Sequence, residues 1–316
     1  MGICSEALGQ QKASTRAATT AASKPVPDEV MLRIVRAEDE RRWDNDLGTL
    51  LFEKEARVRE RAALAAGRIG DERAVASLVS LLQTDREASV RAMAAFALGE
   101  TEAATGAAAL SEVAQKQNET SDVRARCLEA LGKVVAALPE TEEASGRNLG
   151  QVILKTLDAE LKRSPKPGRE VILLGLTAAL RARPANAGPV VAKFLSSADA
   201  RIRADAANTM ARLRSKDANE QLRSLLANDA DPVVRANAAR ALGAAEDAAS
   251  LEQLAARVGN DTDERVRVSA IRALGSLKDA RAAPTLLQRG SDLMPAYQSA
   301  KTNGSVHPRV MNEMLE

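Results

Sequence analysis

Hydrophobic positions recur along this chain with two nested periods. The short one is helical. In Val234–Gly243, Val234, Ala238 and Ala241 are spaced by four and three, which places them on one helix face. The long one is set by copies of that same stretch, Val-Arg-x-x-Ala-Ala-x-Ala-Leu-Gly. Near copies begin at Val58, Val90, Val123 and Val266, a weaker one at Ile202 and a degenerate one at Val171. Successive starts lie 32, 33, 48, 31, 32 and 32 residues apart. A period of this size predicts stacked supersecondary units rather than one closed domain. Take the leading Val or Ile as position zero. Position four is then small in every unit (Ala62, Ala94, Cys127, Gly175, Ala206, Ala238, Ala270), and position seven is Ala except at Thr209. One small residue per turn lets a neighbouring helix approach closely. Position nine is Gly67, Gly99, Gly132, Gly243 and Gly275, where a left-handed glycine is expected to close the helix. A second apolar-periodic stretch follows each phrase: Val75, Leu78, Val79 and Leu82; Leu222, Leu225 and Leu226; Leu251 and Leu254. Each unit therefore reads as helix, tight turn, helix and polar link. The expected fold is all-α, a right-handed α-solenoid of about seven helix pairs.

The flanks depart from the period. Residues 1–27 are rich in Ala, Ser, Thr and Gln and end in Pro25 and Pro27, the composition of a disordered lead-in. From Asp28 the chain turns helical. Val30, Ile34 and Val35 are expected on one face, and Trp43, Leu47, Leu50 and Leu51 continue the spacing, so residues 28–54 are expected to cap the open end of the array. The array itself spans 55–290, and 291–316 forms a C-terminal extension whose Met311–Glu316 reads as the opening of a further helix or repeat. The 48-residue step implies an insertion around Pro139–Asn148 followed by a longer helix. This irregular unit reads either as a bend between two regular halves or as a partner-specific element.

Charge follows the repeat as well. Position plus one is Arg in six units: Arg59, Arg91, Arg124, Arg203, Arg235 and Arg267. Position minus three is acidic in five: Glu55, Glu87, Asp199, Asp231 and Asp263. An acid at a helix N-terminus complements the helix dipole, and Arg makes planar, bidentate pairs. Together these residues predict a structural ladder running from unit to unit.

Composition narrows the functional classes. Lys+Arg is 45 and Asp+Glu 43, a net charge of +2, without the strongly basic footprint of a nucleic-acid binder. Aromatics make up 2% of the chain, too few for a row of base-stacking platforms and too few for a core built on rings. The arginines also recur in step with acids, so a nucleic-acid partner is not expected. No stretch approaches the ~20 apolar residues of a membrane helix. Two cysteines, Cys4 and Cys127, indicate no disulfide framework, and Cys127 fills a small-residue slot. The only histidine, His307, cannot complete a zinc cluster or a nucleophile–base pair, and a glycine-rich phosphate loop is absent. No catalytic, metal-ligating or cofactor-binding residues are therefore expected. Residues 1–27 lack the apolar core of a signal peptide, and the chain reads as cytoplasmic as written. Ala7–Gln11 would read as the tail of an export signal that starts upstream of Met1.

The phrase with its small positions resembles HEAT repeats, and more closely the short HEAT-like repeats of phycobilisome (bilin) lyases, over about Asp28 to Gly290. Ankyrin and tetratricopeptide units share a similar period, but their signature residues are missing. A narrower resemblance, carried by Ile34–Trp43 and Ala62–Asp71, is to the HEAT arm of bacterial cyclophilin-type peptidyl-prolyl isomerases. The Phe-His-Arg and Gln-x-x-x-Asp signature of their catalytic domain is not present. The resemblance implies a non-catalytic scaffold that holds a protein or peptide on a concave face. The alternatives it raises are an accessory arm or fragment of such an isomerase, or a bilin-lyase-like enzyme.

Overall fold

A computed structural model describes residues 25–164, 167–302 and 308–314, with side chains at all of these except 300–302 and 308–310. The expected lead-in up to residue 24, with Cys4, lies outside the described residues, as does His307.

The helices, in order, are α1 (Asp28–Asp39), α2 (Asn45–Leu50), α3 (Ala56–Ile69), α4 (Val75–Thr84), α5 (Ala88–Thr101), α6 (Ala107–Gln115), α7 (Ser121–Ala137), α8 (Glu143–Glu160) and α9 (Arg169–Ala182). They continue with α10 (Ala187–Ala192), α11 (Ala200–Leu213), α12 (Asn219–Asn228), α13 (Pro232–Ala244), α14 (Leu251–Asn260), α15 (Glu264–Leu277), α16 (Ala283–Thr302) and α17 (Pro308–Met314). Among the described residues there is no strand. The odd-numbered helices α3 to α15 carry the repeated phrase and form a first row. The even-numbered α4 to α16 form a second, in which α4 to α14 each pack chiefly on the first-row helix that follows them. The result is an all-α solenoid of seven helix pairs, with α1 and α2 closing the end at α3.

Local chemistry starts these helices. Asp231 caps α13 by accepting hydrogen bonds from the Val233 and Val234 N–H groups, with Pro232 in the first turn. Asp199 and Asp263 cap α11 and α15 in the same way, and Thr120 caps α7. The seam positions are closed off from water. Val90, Val123, Val234 and Val266 are fully buried, as are Ala62, Ala94, Cys127, Ala206, Ala238 and Ala270. Leu78, Leu82, Leu110, Leu222, Leu226 and Leu254 close the core from the second row. Each fully buried Leu contributes about 1.5–3 kcal/mol relative to an exposed one. Phe194 is the one aromatic ring that is fully buried among the described residues.

The position-nine glycines do not close helices. They lie inside them, and Gly67, Gly99, Gly132 and Gly243 serve packing. A methyl group on Gly67 would stand 2.7 Å from Ala97 Cα. On Gly99 it would meet Ala130 Cα at 2.8 Å, on Gly132 Ala178 Cα at 2.7 Å, and on Gly243 Ala273 Cα at 2.6 Å. Position nine of one unit therefore seats against position seven of the next. The left-handed turn comes three residues later, at position twelve. Gly70 takes it with φ +73°, but Glu102, Arg183, Arg214, Glu246 and Lys278 take it elsewhere, with φ of 45–55°. First-row helices thus touch backbone to backbone, while second-row neighbours approach one another much more sparsely. Unequal spacing bends a stack towards its tighter row, which puts the first row on the inside.

Two further expectations are corrected, and one is refined. Val35 is exposed, and Ala37 joins Ile34 in the core instead, because residues three apart share a face of α1 while Val35 is turned about 100° away from Ile34. The extra residues of the long step are spread over an extended α7, an 18-residue α8 that begins at Glu143 and is the longer helix expected there, and a longer link after it. Residue 290, expected to end the array, lies within α16, which continues to Thr302.

Candidate functional site

The plus-one arginines run along the array as rungs. Arg59 Nε and Nη2 donate to both oxygens of Asp85, at 2.6 and 2.9 Å, while its Nη1 donates to the Glu53 and Lys54 carbonyls. Arg91 holds Glu119 the same way, Arg203 holds Asp229 and Arg235 holds Asp261, each also donating from Nη1 to two carbonyls of its own link. Arg267 donates to Glu313 on α17, and Arg124 donates to Glu160 on α8. Planar two-point pairing with saturated nitrogens is the geometry in which a desolvated ion pair holds.

The acids of these rungs are not Asp199, Asp231 and Asp263. Asp231 and Asp263 face the backbone of their own helices, and Asp263 also pairs with Arg265 in its own first turn. Asp199 caps α11 and accepts from Arg169 at 2.6 Å. The rung acids stand two residues earlier, at minus five: Asp85, Asp229 and Asp261. Their Oδ1 atoms also accept the N–H of Glu87, Asp231 and Asp263. The signal was in the sequence, since an acid recurs at minus five in the three links that read Asp-x-acid. Burial raises the Asp261 carboxyl, but hydrogen bonds from Arg235 and from the Asp263 N–H, with the Arg235 charge, outweigh it and hold its pKa below the usual carboxylate range. Asp85 and Asp229 behave alike for the same causes.

One junction breaks the pattern at four places. Between α9 and α11 the plus-one residue is Ile172 instead of Arg, and the minus-five residue is Ser197 instead of an acid. Leu180 replaces the position-nine glycine, and Thr209 replaces the position-seven alanine. The bulkier pair holds α9 and α11 apart, and their contact is the sparsest in the first row from α3 to α15. A cleft of about 720 Å³ opens there, with Leu161, Ile172, Phe194 and Ile202 on its walls and Arg169, Lys193 and Asp199 among its lining.

Position two of the first row is buried where it is Ala92, Ala125, Ala204 or Ala236, whereas positions three and six are mostly half-buried or exposed and build no rungs. On α3, α5 and α7 these include Leu64, Met93 and Phe96, all half-buried and lining a depression of about 350 Å³ with Glu60, Asp122 and Arg126. The Arg126 guanidinium lies 5.9 Å and Lys133 Nζ 4.7 Å from the Phe96 ring centroid, within cation–π range. Leu173 and Leu174 occupy positions two and three of α9, again half-buried. Sequence reasoning reached these residues only as positions the repeat leaves free.

Reactive chemistry is sparse. Burial pushes the Cys127 thiol far above its ordinary pKa, so it is held as an inert packing residue. Among the described residues no group of three or more His, Cys, Asp or Glu is placed to hold a metal, and no helix is long and apolar enough to cross a membrane.

The sequence family described as HEAT repeats matches residues 33–99, 188–269 and 219–293, together just over half of the chain. No curated protein matches it. Solved structures that resemble it include YibA of E. coli, at 18% identity and a TM-score of 0.59 over 85% of this chain and 92% of that one. Others are the archaeal HEAT-like repeats protein from Thermococcus onnurineus NA1 (18%, TM-score 0.49, 73% and 95%) and the complex of CpcE and CpcF of phycocyanin lyase from Nostoc sp. PCC7120 (20%, TM-score 0.46, 78% and 92%). At these identities the likeness is one of fold.

Proposed function

The chain belongs to the HEAT-repeat family, and from that premise we propose that it is a non-catalytic scaffold holding a protein or peptide partner along its first row of helices. The carrying observation is the patch at Leu64, Met93 and Phe96. Leu64 and Phe96 have no duty in the seam or the ladder, and Met93 packs on the core with only part of its side chain, yet together they gather apolar surface and a ring on the inner row. Acidic Glu60 and Asp122 and basic Arg126 and Lys133 border it, which suits an apolar anchor with a mixed-charge rim. Stacked helix pairs offer such a surface as an extended concave track. Apart from Arg124, the ladder arginines are committed to carboxylates and carbonyls, and they present no row of free guanidinium groups to a nucleic-acid phosphate backbone.

The test is capture of partners from a lysate of the source organism by wild type and by Phe96→Glu and Met93→Glu. Specific partners are expected with wild type and lost with both variants, while thermal melts of all three stay within a few degrees. Equal capture by the variants, or no specific partner with wild type, would overturn the reading.

A further inference from the structure

The second row carries a feature that the repeat does not require. A cleft of about 1040 Å³ opens between α6, α8 and α10, and Arg124 lines it. In the rungs of Arg59, Arg91, Arg203, Arg235 and Arg267, Nη1 donates to two carbonyls of the link before its own helix. Arg124 departs from this. Its Nε donates to the Ala114 carbonyl at 3.1 Å and its Nη2 to Glu160 at 2.7 Å, while Nη1 has no hydrogen-bond partner. The Gln117 carbonyl is taken by Arg163 Nη2 at 2.6 Å. The Arg124 side chain is only 3% exposed, so an unpaired nitrogen there leaves a desolvated donor in want of an acceptor.

The surroundings say what kind of acceptor. Lys155, Lys162, Arg163 and Lys193 also line the cleft, with Asp158 as the one acid among the lining residues. Asp158 is shared between Lys193 and Lys162. Glu160, fully buried, answers Arg124 and the Gly168 N–H. Lys155 has no ion pair among the described residues. Five cations against Asp158 and Glu160 leave three positive charges in excess, more than one carboxylate neutralises.

We propose that this cleft binds a small phosphomonoester dianion. Its terminal oxygens would accept from Arg124 Nη1 and Lys155 together, and its charge would meet the lysine excess. The site lies on the opposite row from the partner face and does not depend on the scaffold reading.

Isothermal titration and thermal melts of the full chain test it, with inorganic phosphate and phenyl phosphate as probes and with succinate and chloride at matched ionic strength as controls. Both phosphates are expected to bind saturably and to raise the melting temperature, phenyl phosphate more tightly than succinate. Lys155→Ala is expected to weaken phosphate binding about tenfold or more without moving the ligand-free melt. Arg124→Lys should weaken it as well. Because that variant disturbs a buried pair, Lys155→Ala is the deciding one. A response that follows ionic strength alone, succinate binding as tightly as phosphate, or Lys155→Ala binding like wild type would each overturn the proposal.

Discussion

Gly243 sits so close to Ala273 that a single added methyl would stand 2.6 Å from the Ala273 Cα. The same relation joins Gly67 to Ala97 and Gly132 to Ala178, but Gly275, in the last phrase helix, has nothing within 4 Å of its added carbon. The two settings predict opposite outcomes for one substitution. Gly243→Ala is expected to lower stability by about 1–3 kcal/mol, since two backbones must separate. Gly275→Ala is expected to raise it by up to ~1 kcal/mol, the helix-propensity gain at an exposed site. Urea melts of the two variants check this, and a loss of similar size in both would refute the packing account.

The left-handed turn at position twelve offers a second comparison. Lys278 holds φ 52° without being glycine. Lys278→Gly should remove that strain and stabilise the chain by about 1 kcal/mol, whereas Gly70→Ala should cost about as much. Chemical denaturation of each variant measures both signs.

Arg235 and Asp261 form a rung in which the acid is only 1% exposed. Removing Arg235 leaves that carboxylate buried with only Arg257, at 3.6 Å, and the Asp263 N–H to answer it. Arg235→Ala is expected to destabilise by roughly 3–5 kcal/mol while leaving partner capture by the folded protein unchanged. The double variant with Asp261→Ala should recover part of the loss. A wild-type melt for Arg235→Ala would dismiss the ladder as a source of stability.

The rung acids also set a pH dependence. Asp85, Asp229 and Asp261 titrate below the ordinary carboxylate range in the folded state: burial raises each carboxyl, but hydrogen bonding and charge from Arg59, Arg203 and Arg235 outweigh it. The unfolded chain therefore binds more protons in this window, and stability rises with pH. The contribution should be complete above about pH 5 and fall away below about pH 4, as the pH drops through the depressed folded values. Urea midpoints from pH 7 to pH 3 should show the fall, with a shallower slope in Asp261→Asn. An unchanged slope in that variant would separate the acid limb from the ladder.

The missing rung can be rebuilt. Ile172→Arg alone should destabilise, since it buries a charge where Ser197 offers no carboxylate. Adding Ser197→Asp should restore stability with a coupling of about 1–3 kcal/mol. A double-mutant cycle reads that coupling directly. Additive losses would mean that α9 and α11 stand too far apart for a rung.

The sequence alone determined the array: seven phrase helices, their buried small positions at four and seven, the aspartate caps at minus three (Asp199, Asp231 and Asp263), and arginines in step at plus one. A unit in such an array contacts chiefly its neighbours, so one-dimensional periodicity carries most of the fold. It also told that few rings would be needed, and Phe194 is the one fully buried. The tertiary structure decided what depends on the register between units. Only when α13 is laid on α15 does Gly243 become a contact with Ala273 rather than a helix stop, and only then does Arg235 reach Asp261 instead of Asp263. The same holds at α9 and α11, where Ile172, Leu180, Ser197 and Thr209 are ordinary residues in the chain and meet as a gap only in space. Periodicity fixes what each residue is within its helix. Inter-helix distance fixes what it touches, and a single helix pattern does not encode that distance.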